Sequence, residues 1–231
     1  VVTLGALAAL ALLAWLYLLA TARGPMAGMG EGFLLVALMW AIMMVAMMIP
    51  SAAPAVLLYA RVQRQAGPQA PPPTAAFLAG YLLCWLAFAL AAAALQVAIE
   101  RLAPASLMMT GLAGTRAGAI VIVAVGLYQL SPLKDSCLAR CRSPAAFLSR
   151  HYRPGAGGAL RLGLLHGLSC VGCCWLLMAL LFVVGVMNLA WIAALTLLVA
   201  AEKLLPHGRL ISRLAAAALL VWGAALLLGI L

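Results

Sequence analysis

The chain has 231 residues, 68% of them hydrophobic and only 8% charged, with a mean hydropathy of +1.20. Soluble domains hold roughly 45–50% apolar and about 25% charged residues, so a water-soluble globular fold is excluded. The formal net charge of +10 gathers in no basic, aromatic-rich stretch, so no nucleic-acid partner is expected, and the Pro- and Gly-rich pieces are too short for a disordered or fibrous chain. An all-α, polytopic transmembrane helix bundle forming a single integral membrane domain over 1–231 is what remains.

A membrane-crossing helix takes about 20 mostly apolar residues. Charged and Pro/Gly-rich breaks divide the chain into seven such runs, at 1–20, 33–58, 75–99, 117–133, 161–185, 189–205 and 213–231, with six as the alternative count. The first is read as a helix rather than a signal peptide, because it exceeds a signal core in length and no basic residue precedes it. The fourth, bounded by Arg116 and Lys134, is short. The sixth spans only if it carries Glu202 and Lys203 in its last turns before Pro206 stops it. Between the second and third runs, Gln65 to Pro73 reads as an exposed linker.

Counted on seven spans, the odd loops hold only Arg23, Arg101 and Arg116 of the fourteen Lys and Arg. Cytoplasmic loops collect positive charge, which predicts a cytoplasmic N-terminus and an outer C-terminus in a bacterial inner membrane. Anionic lipid then accounts for the net charge.

The second run carries Met39, Met43 and Met47 in one i, i+4 ladder and Met44 and Met48 in another, with Pro50 and Pro54 loosening the backbone beyond them. Such a stripe is commonly core packing; the alternative is a thioether path for a soft metal. The third run carries Cys84, readable as a small buried hydrophobe or as a step on that path. Met26, Met29, Met108, Met109 and Met187 fall in or beside outer loops, where thioethers resist oxidation to disulfides. No cysteine is expected on the oxidising side, so structural disulfides are not expected.

The sharpest motif is His166-Gly-Leu-Ser-Cys170-Val-Gly-Cys173-Cys174-Trp175. At 100° per residue, His166, Cys170, Cys173 and Cys174 fall within an arc of about 100° on one helix. Cys137 and Cys141, spaced i, i+4, share a face if their segment is helical. Thiolate and imidazole select copper(I), zinc or iron-sulfur centres. Chance packing would have to place a costly intramembrane histidine on the stripe of three thiols, so ligation is the reading adopted. Glu202, Lys203 and His207 are read either as groups supporting such a site or as an interfacial set snorkelling to the headgroups. Asp135 reads as a loop charge, with a hard-ligand role as the alternative. Gly163 and Gly167 bracket His166 in a small-x-x-x-small pattern that lets another helix come close. There is no P-loop, dinucleotide fingerprint, Ser/His/Asp set or c-type haem signature.

Several of these motifs together resemble one bacterial family. They are Met39 to Pro50, Pro132-x-Lys134-x-x-Cys137-Leu-x-x-Cys141-Arg142, the His166 to Trp175 stretch, Met187-Asn188-x-x-Trp191 and Glu202-Lys203. The combination looks like the uncharacterised family of predicted metal-binding integral membrane proteins, over about residues 33–223. The resemblance implies metal binding and supplies no substrate.

Two functions follow as expectations. The first is soft-metal handling, most simply copper(I), for delivery, insertion or transport. Met26, Met29 and Met108 would collect the ion, the second-run methionines would relay it, and His166, Cys170, Cys173, Cys174, Cys137 and Cys141 would hold it. Zinc, haem and iron-sulfur remain alternative cofactors, haem with His166 and His207 as axial groups. A membrane or periplasmic metalloprotein is the expected partner, and a role as its assembly factor is a further alternative. The second function is a membrane thiol-disulfide oxidoreductase using Cys137 with Cys141 and Cys170 with Cys173.

Overall fold

The computed structural model describes residues 2–23, 32–65, 73–102 and 115–230. Among these there are nine helices and no strand: α1 (Val2–Arg23), α2 (Phe33–Gln65), α3 (Pro73–Leu102), α4 (Arg116–Gln129), α5 (Pro132–Arg142), α6 (Pro144–His151), α7 (Gly155–Val184), α8 (Leu189–Leu204) and α9 (Gly208–Leu227). Leu- and Ala-rich composition favours this conformation intrinsically. Local signals set the breaks. Thr115 caps α4 by accepting from the Gly118 N–H at 3.1 Å. Pro132 and Pro144 open α5 and α6, where a missing N–H costs nothing. Gly185, at φ +93°, ends α7 in the left-handed region, and Asn188 then caps α8 by accepting from the Trp191 N–H.

The expectation of seven spans is corrected. Among the described residues, five helices, α1, α2, α3, α7 and α9, are long and apolar enough to cross a membrane. Six are possible if α4 and α5, bent by 61° at the break between them, count as one. The sixth expected run fails on length: α8 has 16 residues, about 24 Å at 1.5 Å per residue, against about 30 Å of hydrocarbon. The fourth is interrupted because Pro132 follows the 14 residues of α4. The segment around Cys137 and Cys141 is helical, and α7 begins at Gly155 rather than 161.

Two compact units are formed, residues 1–93 with 137–172 and residues 94–136 with 173–231. In the first, Leu7, Val56, Tyr59, Phe77, Phe147 and Leu162 belong to one buried core, with the Tyr59 and Phe77 rings stacked at 5.0 Å. There α3 crosses α7 at backbone contact. A Cβ on Gly80 would collide with the Leu160 carbonyl oxygen, and one on Gly163 with that of Phe77. The small-residue pattern around His166 thus receives α3, and Gly80 is the matching glycine on the other side. In the second unit α4 packs along α9: Gly126 meets Leu220, and Gly223 meets Val123. Trp191 of α8 stacks on Trp222 of α9 at 5.7 Å, their planes 4° apart.

Candidate metal site

Within the first unit, α7 brings His166 and Cys170 onto one buried face, four residues apart. The His166 ring is enclosed by three aromatic rings, Phe147 at 5.5 Å, Tyr81 at 5.8 Å and Phe77 at 6.0 Å. A wall of this kind fixes the ring plane and keeps bulk water away. Tyr81, fully buried on α3, reaches both sides of the site. Its hydroxyl donates to the Met48 carbonyl at 3.3 Å and lies 3.1 Å from Cys170 Sγ. With that proton on the carbonyl, the phenol oxygen is left to accept from the Cys170 thiol. If Cys170 becomes a thiolate, the same hydroxyl is placed to donate to the sulfur.

The methionines lie on the same unit's α2. Met39, Met43, Met44, Met47 and Met48 are all buried, and the Met48 carbonyl is the point at which Tyr81 joins this helix to Cys170. Cys84 is half-buried, donates to the Leu164 carbonyl at 3.3 Å, and would sit 2.9 Å from a Cβ on Gly167. Cys137 and Cys141 are half-buried on α5. The Cys137 sulfur lies against Gly172 of α7, where a Cβ would meet it at 2.8 Å. All six cysteines are thiols rather than disulfides. Among the described residues, no three His, Cys, Asp or Glu side chains gather closely enough to hold one ion together.

Cys173 and Cys174 are buried on the part of α7 that belongs to the second unit. The same unit contains a buried ion pair. Lys134 Nζ donates to Glu202 Oε1 at 2.8 Å and Oε2 at 2.7 Å, with both side chains essentially inaccessible. Gln129 donates from Nε2 to Glu202 Oε1 at 3.1 Å and accepts from Lys134 at Oε1. Ser212 on α9 donates to the Gln129 carbonyl at 3.3 Å. Glu202 is thus held by α4 and α5 rather than snorkelling, and Lys203 is buried too. His207 is exposed in the turn before α9. Asp135 lies in the first turn of α5, where an acid complements the helix dipole, and not in a loop. Met187 is half-buried in the turn after α7, whereas Met26, Met29, Met108 and Met109 lie outside the described residues.

Sequence reasoning missed Tyr81, Gln129 and the role of Lys134. The signal for Lys134 was present, since an intramembrane acid calls for a cation and Lys134 stands in the same set of motifs as Glu202. For Tyr81 the pointer was Gly163 and Gly167, which announce that another helix's side chains must face His166.

What these features define, over the described residues, is an all-helical chain with apolar helices of membrane-crossing length and buried thiols, an imidazole and thioethers on those helices. The chain belongs to the PpoB2 family, described as copper chaperone, whose pattern matches residues 37–226. Copper is therefore the metal to which its function is related. No curated protein and no solved structure matches it significantly.

Proposed function

We propose that this protein is a membrane-embedded copper(I) delivery protein of the bacterial inner membrane. It takes up the ion through thioether and thiol ligands and passes it to a membrane or periplasmic metalloprotein. The observation that carries the proposal is the Tyr81 hydroxyl held between Cys170 Sγ and the Met48 carbonyl, beside the His166 ring. It ties the methionine helix to the His166/Cys170 face at one level. Copper(I) is soft and accepts few ligands, so a pair such as His166 with Cys170 is a sufficient resting place. Cys137 with Cys141, spaced i, i+4 on α5, is a further station, and exchange between such pairs suits delivery better than a closed cage. Lipid surrounds the five apolar helices, and the Lys134–Glu202 pair keeps α4, α5 and α8 in register.

Anaerobic elemental analysis of the full chain in detergent tests this. The parent is expected to hold copper in near-stoichiometric amount, and Cys170→Ser/His166→Ala to lose most of it. A parent without metal but with a reversible disulfide would instead establish the dithiol chemistry. Tyr81→Phe is expected to leave the helical circular-dichroism spectrum unchanged and to weaken copper(I) binding about tenfold, the lower end for loss of a group that orients a ligand. Competition with a chromogenic copper(I) chelator measures it; unchanged affinity would remove Tyr81 from the site.

A further inference from the structure

A cavity of about 520 Å³ opens between α5, α6 and α7 in the first unit, separate from the buried face of His166 and Cys170. Arg140, Arg150, His151, Ser143 and Ser169 line it, with Phe147 as its inner wall. No carboxylate is among its walls. Among the described residues neither Arg140 nor Arg150 makes an ion pair, and both are exposed. The Ser143 and Ser169 hydroxyls donate to the Ala139 and Leu165 carbonyls, so the two uncompensated guanidinium forks alone form the anion-receiving surface, matched best by carboxylate or another planar oxyanion.

The cavity also lies one aromatic ring away from the proposed copper ligand His166. Ser169, on its wall, immediately precedes Cys170 on α7. The Phe147 ring stacks on His151 at 4.9 Å and faces His166 at 5.5 Å, so one aromatic ring separates the cavity from the imidazole. Copper(I) bound by two thiolates carries a net negative charge, and carboxylates on the thiol carrier add to it. A positive vestibule raises the local concentration of such a complex before any ligand changes hands.

We infer that this cavity is the docking vestibule for an anionic copper(I) complex of a small, carboxylate-bearing thiol. The inference rests on His166 and Cys170 being copper ligands, as proposed above. Arg140 and Arg150 hold the carrier's carboxylates while its copper exchanges onto Cys170. In that step a Cys170 Sγ–Cu bond forms, one carrier S–Cu bond breaks, and the Cys170 thiol proton passes to the departing thiolate. Copper remains in the +1 state and no electron moves.

The test is stopped-flow loading of the full-length protein in detergent from two donors, the copper(I) complex of glutathione and a cationic copper(I) thioether complex. R140Q/R150Q is expected to load from the glutathione complex at least about fivefold more slowly than the parent, within the range seen for electrostatic steering. Loading from the cationic complex should not slow, and R140K/R150K should recover most of the rate. Raising the salt from about 0.05 to about 0.5 M should slow only the parent's loading from the anionic donor, because it screens the field. Equal rates for parent and variant overturn the inference. So does equal slowing with both donors that anionic phospholipid relieves, which assigns the cavity to a lipid phosphate. A parent that takes copper from neither donor sinks the copper reading itself, and the vestibule with it.

Discussion

Lys134→Met is expected to lower the stability of the protein by about 3–5 kcal/mol, the usual cost of removing one partner from a buried ion pair. The ammonium bridges both oxygens of Glu202, and the pair is shut off from solvent, so water cannot replace it. Gln129 loses a donor to its Oε1 in the same substitution. Glu202→Gln should cost a similar amount, since it strands the Lys134 charge. The double variant Lys134→Met/Glu202→Met should recover much of the loss, because two apolar side chains of comparable volume need no mutual neutralisation. Thermal unfolding of the detergent-solubilised protein compares the three. If Lys134→Met unfolds with the parent, the pair contributes nothing; if the double variant is the worst, volume rather than charge holds this region together.

Gly163→Ala and Gly80→Ala are expected to destabilise by about 1–3 kcal/mol each, as overpacking does where neighbours cannot rotate away. The obstructing atoms are the backbone oxygens of Phe77 and Leu160, so α3 and α7 must move apart. Because α3 carries Tyr81, that movement also stretches the 3.1 Å approach of its hydroxyl to Cys170, and copper(I) binding should weaken with stability. Gly5→Ala and Gly157→Ala supply the contrast. Both glycines are helical with open space at the Cβ position, so alanine should be neutral or gain up to about 1 kcal/mol. Equal behaviour of the two sets would mean that the α3/α7 crossing is not as tight as its backbone contacts indicate.

The reading of the sequence succeeded where a property belongs to one helix. The long apolar runs and the sharing of one α7 face by His166 and Cys170 follow from composition and the 3.6-residue period alone. It failed where a bend decides. The run ending in Glu202-Lys203 is apolar enough to suggest a crossing, yet α8 ends at 16 residues. The segments of α5 and α6 are charged enough to pass for loop, although Pro132 and Pro144 mark their starts. Partners from distant sequence were the least legible part of the site. Tyr81 and Cys170 are 89 residues apart, and Lys134 and Glu202 are 68. No local periodicity encodes such pairings, and only the cost of a buried charge or the gap left by a glycine hints that a partner exists.

The pairing of α4 with α9 sets an order of assembly during synthesis. The first unit has all of its residues once Gly172 has been made, whereas the second waits for the far end of α9 at Leu227. At roughly 5–20 residues per second, that wait is about 3–11 s. Until α9 is made, the face of α4 that carries Ala119, Val123 and Gly126 has no α9 to meet it. α4 is thus made early and partnered late, and a nascent chain stalled before Arg209 exposes that face to whatever insertion machinery or chaperone attends it.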